Sequence, residues 1–125
     1  MSESLKLKSA NSGFTLTEIL IAVAIIGLLV MIALPNLVRA RESTFENMII
    51  NNLRLIQFAK DSWAAEENKS PTEEPSEDDL KVYFRPSIFP EPVVNETYVI
   101  GPVEDKPYAD LSFPLNGQMR IYGSH

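Results

Sequence analysis

The longest apolar run of the chain lies near its N-terminus. Residues 19–34 carry no charged side chain, and the preceding residues from Phe14 onward add only the charge of Glu18. This stretch is roughly long enough to cross a hydrocarbon core of ~30 Å as a helix. Pro35 follows it, and because proline removes a helical hydrogen bond and clashes with the preceding turn, we expect a bend or a local melt there.

Beyond Pro35 the apolar residues recur at helical spacing. Their separations of three and four residues predict an amphipathic helix whose apolar stripe packs on the C-terminal region. The stripe consists of Phe45, Ile49, Leu53, Ile56, Ala59 and Trp63. The opposite side carries Glu46, Asn47, Asn51, Arg54, Lys60 and Asp61. Since the residue before a proline avoids helical backbone, we expect this helix to end before Pro71.

The second half of the chain holds most of its nine prolines. They forbid long helices and long central strands there. A short helix is still predicted at about 77–84, because Ser76 followed by Asp79 is the arrangement that caps a helix N-terminus. The acidic residues of its first turn also favour the positive end of the helix.

Short strands complete the pattern. Aromatic and β-branched residues at 97–100 predict one strand. Asn116 and Gly117 form a hairpin turn signal, which places further strands at about 110–113 and 119–122. The expected fold class is α+β, with a long N-terminal transmembrane-to-amphipathic helix and a small C-terminal antiparallel β-sheet.

Composition and charge argue against several classes of site and partner. The 125 residues have a formal net charge of −6 and include no cysteine. Without cysteine there is no disulfide, no thiolate metal site and no lipid-anchored cysteine. The acidic balance argues against nucleic acid as a partner, since phosphate recognition needs clustered Lys and Arg. Asp and Glu concentrate at 66–79, which we interpret as a solvated surface loop.

Groups that support catalysis are scarce. The only histidine, His125, is the last residue of the sequence, so neither Ser/His nor Cys/His catalysis has support. Glu104, Asp105 and Asp110 offer oxygen ligands of the kind that calcium takes. Their spacing matches no ligand pattern, and solvated loop carboxylates are favoured. We therefore expect neither an enzyme nor a metal or other cofactor.

Glu18 is the most informative residue of the apolar run. A carboxylate there costs on the order of 2.5–3.5 kcal/mol by insertion scales and normally has a partner. No Lys or Arg lies within a turn or two of it, so its partner is not expected to be local. Cleavage between Gly13 and Phe14 would create an α-amine, which could pair with Glu18 of a neighbouring copy and fix the register between copies.

Ordinary targeting segments explain these features less well. A secretory signal peptide has a shorter apolar region and a small-residue cleavage site. A plain signal anchor fits the length but does not account for Glu18. Lys6 and Lys8 argue for a cytoplasmic N-terminus, whereas Arg39 and Arg41 beyond the apolar run argue against it, so charge alone leaves the orientation nearly undecided.

Residues 13–18, with the sequence GFTLTE, resemble the cleavage and methylation motif of type IV prepilins and type II secretion pseudopilins. The resemblance covers about the first 40 residues. It implies that a membrane peptidase cuts after Gly13 and that the α-amine of Phe14 is then methylated. It also implies that Glu18 serves in assembly and that Pro35 kinks the helix.

The same resemblance divides the chain into a leader at 1–13, a transmembrane and polymerisation helix at 14–35, its amphipathic continuation at 36–68 and a small soluble region at 69–125. It implies a structural subunit of a pilus or pseudopilus, first of all in type II protein secretion. One span would hold the subunit in the inner membrane with its C-terminal region periplasmic or extracellular. Expected partners are further copies, other pilins or pseudopilins, the prepilin peptidase, the inner-membrane assembly platform and membrane lipid.

A second resemblance, to short G-like pseudopilins, rests on residues 51–63, 69–72 and 78–81. Related short chains often carry a C-terminal cysteine pair, which this chain lacks.

Two alternative functions stay open. One is a type IV pilin for motility, adhesion or DNA uptake. The other is a membrane-anchored binding module that never polymerises, which would keep its leader and an unmethylated Phe14.

Overall fold

The computed structural model describes residues 13–123. Its elements in chain order are α1 (Leu16–Glu67), α2 (Glu77–Lys81), β1 (Thr97–Val99), β2 (Tyr108–Leu115) and β3 (Gln118–Tyr122). The chain divides into two compact units, of which the first ends at Leu37 and the second begins at Val38. The α+β class expected from the sequence is confirmed.

The part of α1 in the first unit is apolar and uncovered. Every residue from 13 to 37 is exposed. In the described part of the chain, α1 is the one helix long and apolar enough to cross a membrane, and none of its most apolar window is buried. Helical backbone continues through Pro35, so the local melt is not seen there, and a bend stays a prediction. A large exposed apolar surface of this kind marks a site of contact with a membrane or another protein.

The part of α1 in the second unit carries the expected buried stripe. Phe45 at its start is half-buried and packs against the core. The other predicted members of the stripe are at most 5% exposed, and they are Ile49, Leu53, Ile56, Ala59 and Trp63. The amphipathic pattern is confirmed, and its partner is the sheet of the same unit.

Lys60 also lies on this buried face, although the sequence pattern placed it on the polar side. The prediction was wrong because Lys60, four residues after Ile56 and three before Trp63, falls on the stripe itself. Its amine keeps hydrogen-bond acceptors, since it donates to the backbone oxygens of Ile100 at 2.8 Å and Asp105 at 2.6 Å. Burial of a polar group is tolerated when such partners are present.

Helix α1 ends at Glu67, before Pro71 as expected. Asn68 takes left-handed backbone with φ 52°, and the amide of Lys69 donates to the carbonyl oxygen of Ala64 at 3.0 Å. This arrangement satisfies a carbonyl that the helix end would otherwise leave free.

Helix α2 is shorter than predicted. Its capping box is confirmed, because the Ser76 hydroxyl accepts from the Asp79 amide and the Asp79 carboxylate accepts from the Ser76 amide. The helix stops at Lys81 instead of residue 84, and the next amides bond three residues back, Tyr83 to Leu80 at 3.0 Å among them. A proline at position 86 disfavours helical backbone just before it, which limits further extension.

The three strands form an antiparallel sheet in the order β1-β2-β3. Positive φ angles at Asn116 and Gly117, 48° and 79°, confirm the hairpin turn between β2 and β3. The central strand β2 is eight residues long and contains Pro114, so the expectation that prolines exclude a long central strand was wrong. Pairing with β3 is irregular between Asp110 and Leu115, which accommodates a residue that has no amide hydrogen to donate.

The core of the second unit lies between the buried stripe of α1 and the inner face of the sheet. The sheet side contributes Ile100, Ala109, Leu111, Leu115 and Ile121. Leu80 of α2 and Phe84 after it close the same cluster. This packing gives the second half of α1 a partner within the chain, whereas the described residues provide none for the first half.

Candidate processing and assembly site

The predicted cleavage point lies just before α1. Gly13 and Phe14 are neither helical nor in a strand, and the side chain of Phe14 is 83% exposed. A Cβ added at Gly13 would meet nothing within 4 Å. The packing of the described residues therefore gives no reason for a glycine at this position, and the bond that follows it is exposed.

The remaining leader falls outside the described residues. Lys6 and Lys8, on which the orientation argument depends, belong to that part of the chain. So does His125 at the other end.

Glu18 and Thr15 form a capping box at the start of α1. The Thr15 hydroxyl accepts from the Glu18 amide at 3.2 Å, and Oε2 of Glu18 accepts from the Thr15 amide at 3.0 Å. The amide of Ile19 also donates to the carbonyl oxygen of Thr15 at 3.2 Å. Two otherwise free amides are satisfied, and a carboxylate stands at the positive end of the helix.

This geometry corrects the expectation that Glu18 has no local partner. The expectation considered only Lys and Arg side chains, and it overlooked the backbone amides that a helix N-terminus leaves free. Thr15 followed by Glu18 at the capping-box spacing was the signal in the sequence that would have shown it. The ion pairs present within residues 13–123 do not include Glu18, so its charge still has no cationic partner there.

Gly27 and Pro35, the glycine and the proline within the apolar part of α1, lie in helical backbone. A Cβ on Gly27 would meet nothing within 4 Å, so the chain itself does not need a small residue there. If the glycine has a packing role, that role is toward another molecule.

The acidic residues considered as calcium ligands have other surroundings. Asp110 accepts two hydrogen bonds from the Arg120 guanidinium, at 2.6 and 3.3 Å. Asp105 offers its backbone oxygen to Lys60, and Glu104 is exposed. Over residues 13–123 no group of three or more His, Cys, Asp and Glu side chains is placed to hold a metal ion.

A buried carboxylate that the sequence did not reveal lies in the second unit. Glu96 is 2% exposed and accepts from the amides of Val93 at 2.8 Å and Val94 at 2.7 Å, and from the Tyr98 hydroxyl. Asn52 of α1 donates to the same hydroxyl at 2.8 Å. Burial raises the pKa of Glu96, but hydrogen bonds from the Tyr98 hydroxyl and from backbone amides together outweigh it and lower the pKa below its usual value.

The sequence, including its N-terminal segment, is similar to those of known proteins. Residues 8–34 match the family model of the prokaryotic N-terminal methylation motif. Type II secretion system core protein G of Aeromonas hydrophila is 31% identical over 85 residues, which are 68% of this chain and 58% of that protein. The protein of the same name from Pectobacterium carotovorum subsp. carotovorum is 30% identical over 81 residues, 64% of this chain and 50% of that protein.

A pilin is also similar to this chain. Type IV major pilin protein PilA of Myxococcus xanthus is 37% identical over 59 residues, 47% of this chain and 27% of that protein. The chain thus spans between 50% and 58% of the length of these two core G proteins. No solved structure matches it.

The matched relatives and the uncovered apolar helix support a single-pass inner-membrane protein. The small antiparallel sheet on the second half of α1 is consistent with a pilin-like fold. The methylation motif and the matched sequences together identify this chain as a homologue of type II secretion protein G, a pseudopilin, and of type IV pilins.

Proposed function

We propose that this chain is a structural subunit of a type II secretion pseudopilus and is not an enzyme. The prepilin peptidase cuts it after Gly13, the α-amine of Phe14 is methylated, and the subunits assemble through their apolar helices. The similarity to secretion core G proteins over 85 residues supports the secretion system over other filaments.

One observation carries the proposal. The exposed Gly13–Phe14 bond stands directly before a helix whose first turn holds Glu18 and whose next 16 residues carry no charge. After cleavage the Phe14 amine of one subunit is a cation available to Glu18 of a neighbour. Because an unpaired charge in hydrocarbon is costly, this pairing favours one register between subunits.

The division of the chain follows from the same proposal. Residues 1–13 are the leader, 14–35 the transmembrane and polymerisation helix, 36–68 its amphipathic continuation and 69–125 the soluble region, which faces the periplasm. Processing removes Lys6 and Lys8, whose charges do not suit a bundle of apolar helices. The partners are like subunits, other pseudopilins, the peptidase, the assembly platform and membrane lipid.

Substitution of Glu18 tests the assembly step. Glu18→Gln keeps an oxygen that can accept from the Thr15 amide, as glutamine does in capping boxes, but it removes the charge. We expect the variant to reach the membrane at the wild-type level and to yield about tenfold less sheared filament or crosslinked multimer, since one lost charge pair in a dry interface is worth about 1.4 kcal/mol or more. Glu46→Gln is the matched control and should assemble normally.

The capping box makes this test discriminating. If Glu18 acts only as a helix cap, the glutamine variant assembles as well as the wild type, and the charge-pair account is wrong. If Glu18→Ala and Glu18→Gln lose filament assembly to the same extent, assembly depends on the charge of Glu18 and not on its capping hydrogen bond.

A type IV pilin is the second candidate, because the Myxococcus xanthus major pilin is 37% identical over 59 residues. Expression in a strain that lacks its secretion core G protein, and in one that lacks its major pilin, separates the two. Restoration of secretion alone supports the pseudopilin, and restoration of surface pili alone supports the pilin. A non-polymerising binding module would restore neither and would keep its leader.

A further inference from the structure

Lys60 is fully buried, and the proposed filament function does not use it. It is the largest of the fully buried side chains in the described residues, with an exposed fraction of 0%. Its Nζ atom donates to the backbone oxygen of Ile100, where β1 has just ended, at 2.8 Å. It also donates to the backbone oxygen of Asp105, in the connection to β2, at 2.6 Å. Two carbonyl dipoles thus point their negative ends at one amine.

The electrostatic surroundings of this amine are negative. Burial is the largest influence on Lys60 and lowers its pKa, while the nearby carboxylates of Asp105, Asp61 and Glu74 all act to raise it. Carbonyl and carboxylate oxygens are the groups with which proteins bind hard cations. The oxygen atoms around Lys60 are therefore of the kind that binds a cation, and the cation that they surround is the Lys60 amine of α1.

The connection that Lys60 holds is itself bonded to another segment. The Val103 amide donates to the backbone oxygen of Glu73 at 3.0 Å, and the Glu104 amide donates to that of Pro71 at 3.0 Å. Residues 71–73 follow the end of α1. Backbone hydrogen bonds hold these residues to the β1–β2 connection. Lys60 holds the same connection to α1.

We propose that residues 100–105 form a cation-binding corner whose cation is the Lys60 amine, and that this amine orders the β1–β2 connection and, through it, residues 71–73. Removal of the amine takes the donor from the buried backbone oxygen of Ile100 and from the partly buried one of Asp105, which is costly. A variant with a shortened side chain at this position therefore presents a site for a small free ammonium ion.

Chemical rescue tests the proposal in the full chain, purified in detergent micelles. In Lys60→Ala we expect hydrogen exchange at the Val103 and Glu104 amides to be about tenfold faster than in the wild type, because the connection opens more often. Methylammonium should slow this exchange again and raise the thermal unfolding midpoint of the variant. The wild type should show neither response, since its site is filled.

Two further variants and a second ammonium salt serve as controls. Lys60→Met fills the path of the side chain without a donor, so we expect fast exchange that methylammonium does not correct. Lys106→Ala removes an exposed lysine from the same connection and should exchange like the wild type. Tetramethylammonium carries the same charge but has no N–H group, and it should not rescue Lys60→Ala.

Three outcomes would overturn the proposal. Wild-type exchange at Val103 and Glu104 in both Lys60 variants would show that the amine does not order the connection. Equal rescue by both ammonium ions would reduce the effect to one of salt. If Lys60→Ala and Lys60→Met are unfolded and methylammonium refolds neither, the corner is not a cation site.

Discussion

The two halves of α1 have the same secondary structure but opposite surroundings. Up to Leu37 every described side chain is exposed, including large apolar ones such as Leu28 at 61%. From Val38 onward one stripe is buried, with Leu53 at 0%. Among residues 13–123 nothing covers the first half, whereas the sheet covers the buried stripe of the second half.

Glu96 and Glu18, one in each unit, differ in how many hydrogen bonds their carboxylates receive from the described residues. Glu96 in the second unit receives hydrogen bonds from two amides and a tyrosine hydroxyl of its own chain. From the part of the chain that the structure describes, the Glu18 carboxylate of the first unit receives one hydrogen bond, donated by the Thr15 amide. The described residues thus complete the surroundings of the second unit and leave those of the first exposed, as the proposed assembly through this helix requires.

Truncation of one leucine in each half should give the largest contrast. Leu53→Ala removes a fully buried side chain, and we expect it to lower the free energy of unfolding of the second unit by about 2.7–5 kcal/mol. Leu28→Ala should leave that free energy unchanged, because no atom of the second unit's core is lost. Denaturant unfolding followed by Trp63 fluorescence measures both; a comparable loss in Leu28→Ala would contradict the division into two units.

Glu96→Gln should have the next largest effect. The glutamine amide cannot accept from all three donors, so we expect a loss of about 1–3 kcal/mol at neutral pH. Glu91→Gln, an exposed neighbour, should unfold like the wild type.

The pH dependence of this effect has a definite sign. The pKa of Glu96 is lowered by folding from its ordinary value of 4.5, so the folded state binds fewer protons than the unfolded state in that window. The contribution of Glu96 is fully present above about pH 4.5 and is lost as the pH falls through the lower folded pKa. The wild type should therefore lose stability on acidification more steeply than Glu96→Gln, as measured by unfolding midpoints between pH 6 and pH 3. Parallel curves would show that folding does not lower the pKa of Glu96.

The two capping boxes should show the smallest contrast. Ser76→Ala removes the cap of α2, and we expect a loss of about 1 kcal/mol in the second unit. Thr15→Ala removes the same geometry from the start of α1, and the unfolding free energy of the second unit should stay unchanged. A loss of equal size in both variants, measured by the same fluorescence assay, would mean that the start of α1 contributes to that unit's stability.

Local spacing made much of this fold predictable. The stripe of α1, the Ser76 cap and the turn at Asn116 and Gly117 each depend on residues a few positions apart, which a sequence displays directly. The irregular pairing that admits Pro114 into β2 depends on a neighbouring strand, and a rule for single strands does not contain it.

The buried polar groups were not predictable in the same way. Lys60 is satisfied by a connection 40 to 45 residues further along the chain, so its periodicity was visible but its acceptors were not. Glu96 bonds to nearby amides, yet its burial depends on how its loop packs on α1. At the N-terminus, the motif located Gly13, Phe14 and Glu18, and their roles in processing and assembly stay predictions.

The N-terminus of the mature protein tests the central claim most directly. Mass spectrometry of the chain isolated from cells with an active prepilin peptidase should find a first residue of Phe14 that carries one methyl group on its amine. Gly13→Val should retain the leader, while Gly27→Ala should be processed normally. A wild-type chain that still begins at Met1 under these conditions would contradict the account, because Glu18 would then have no ammonium group to meet in an assembled filament.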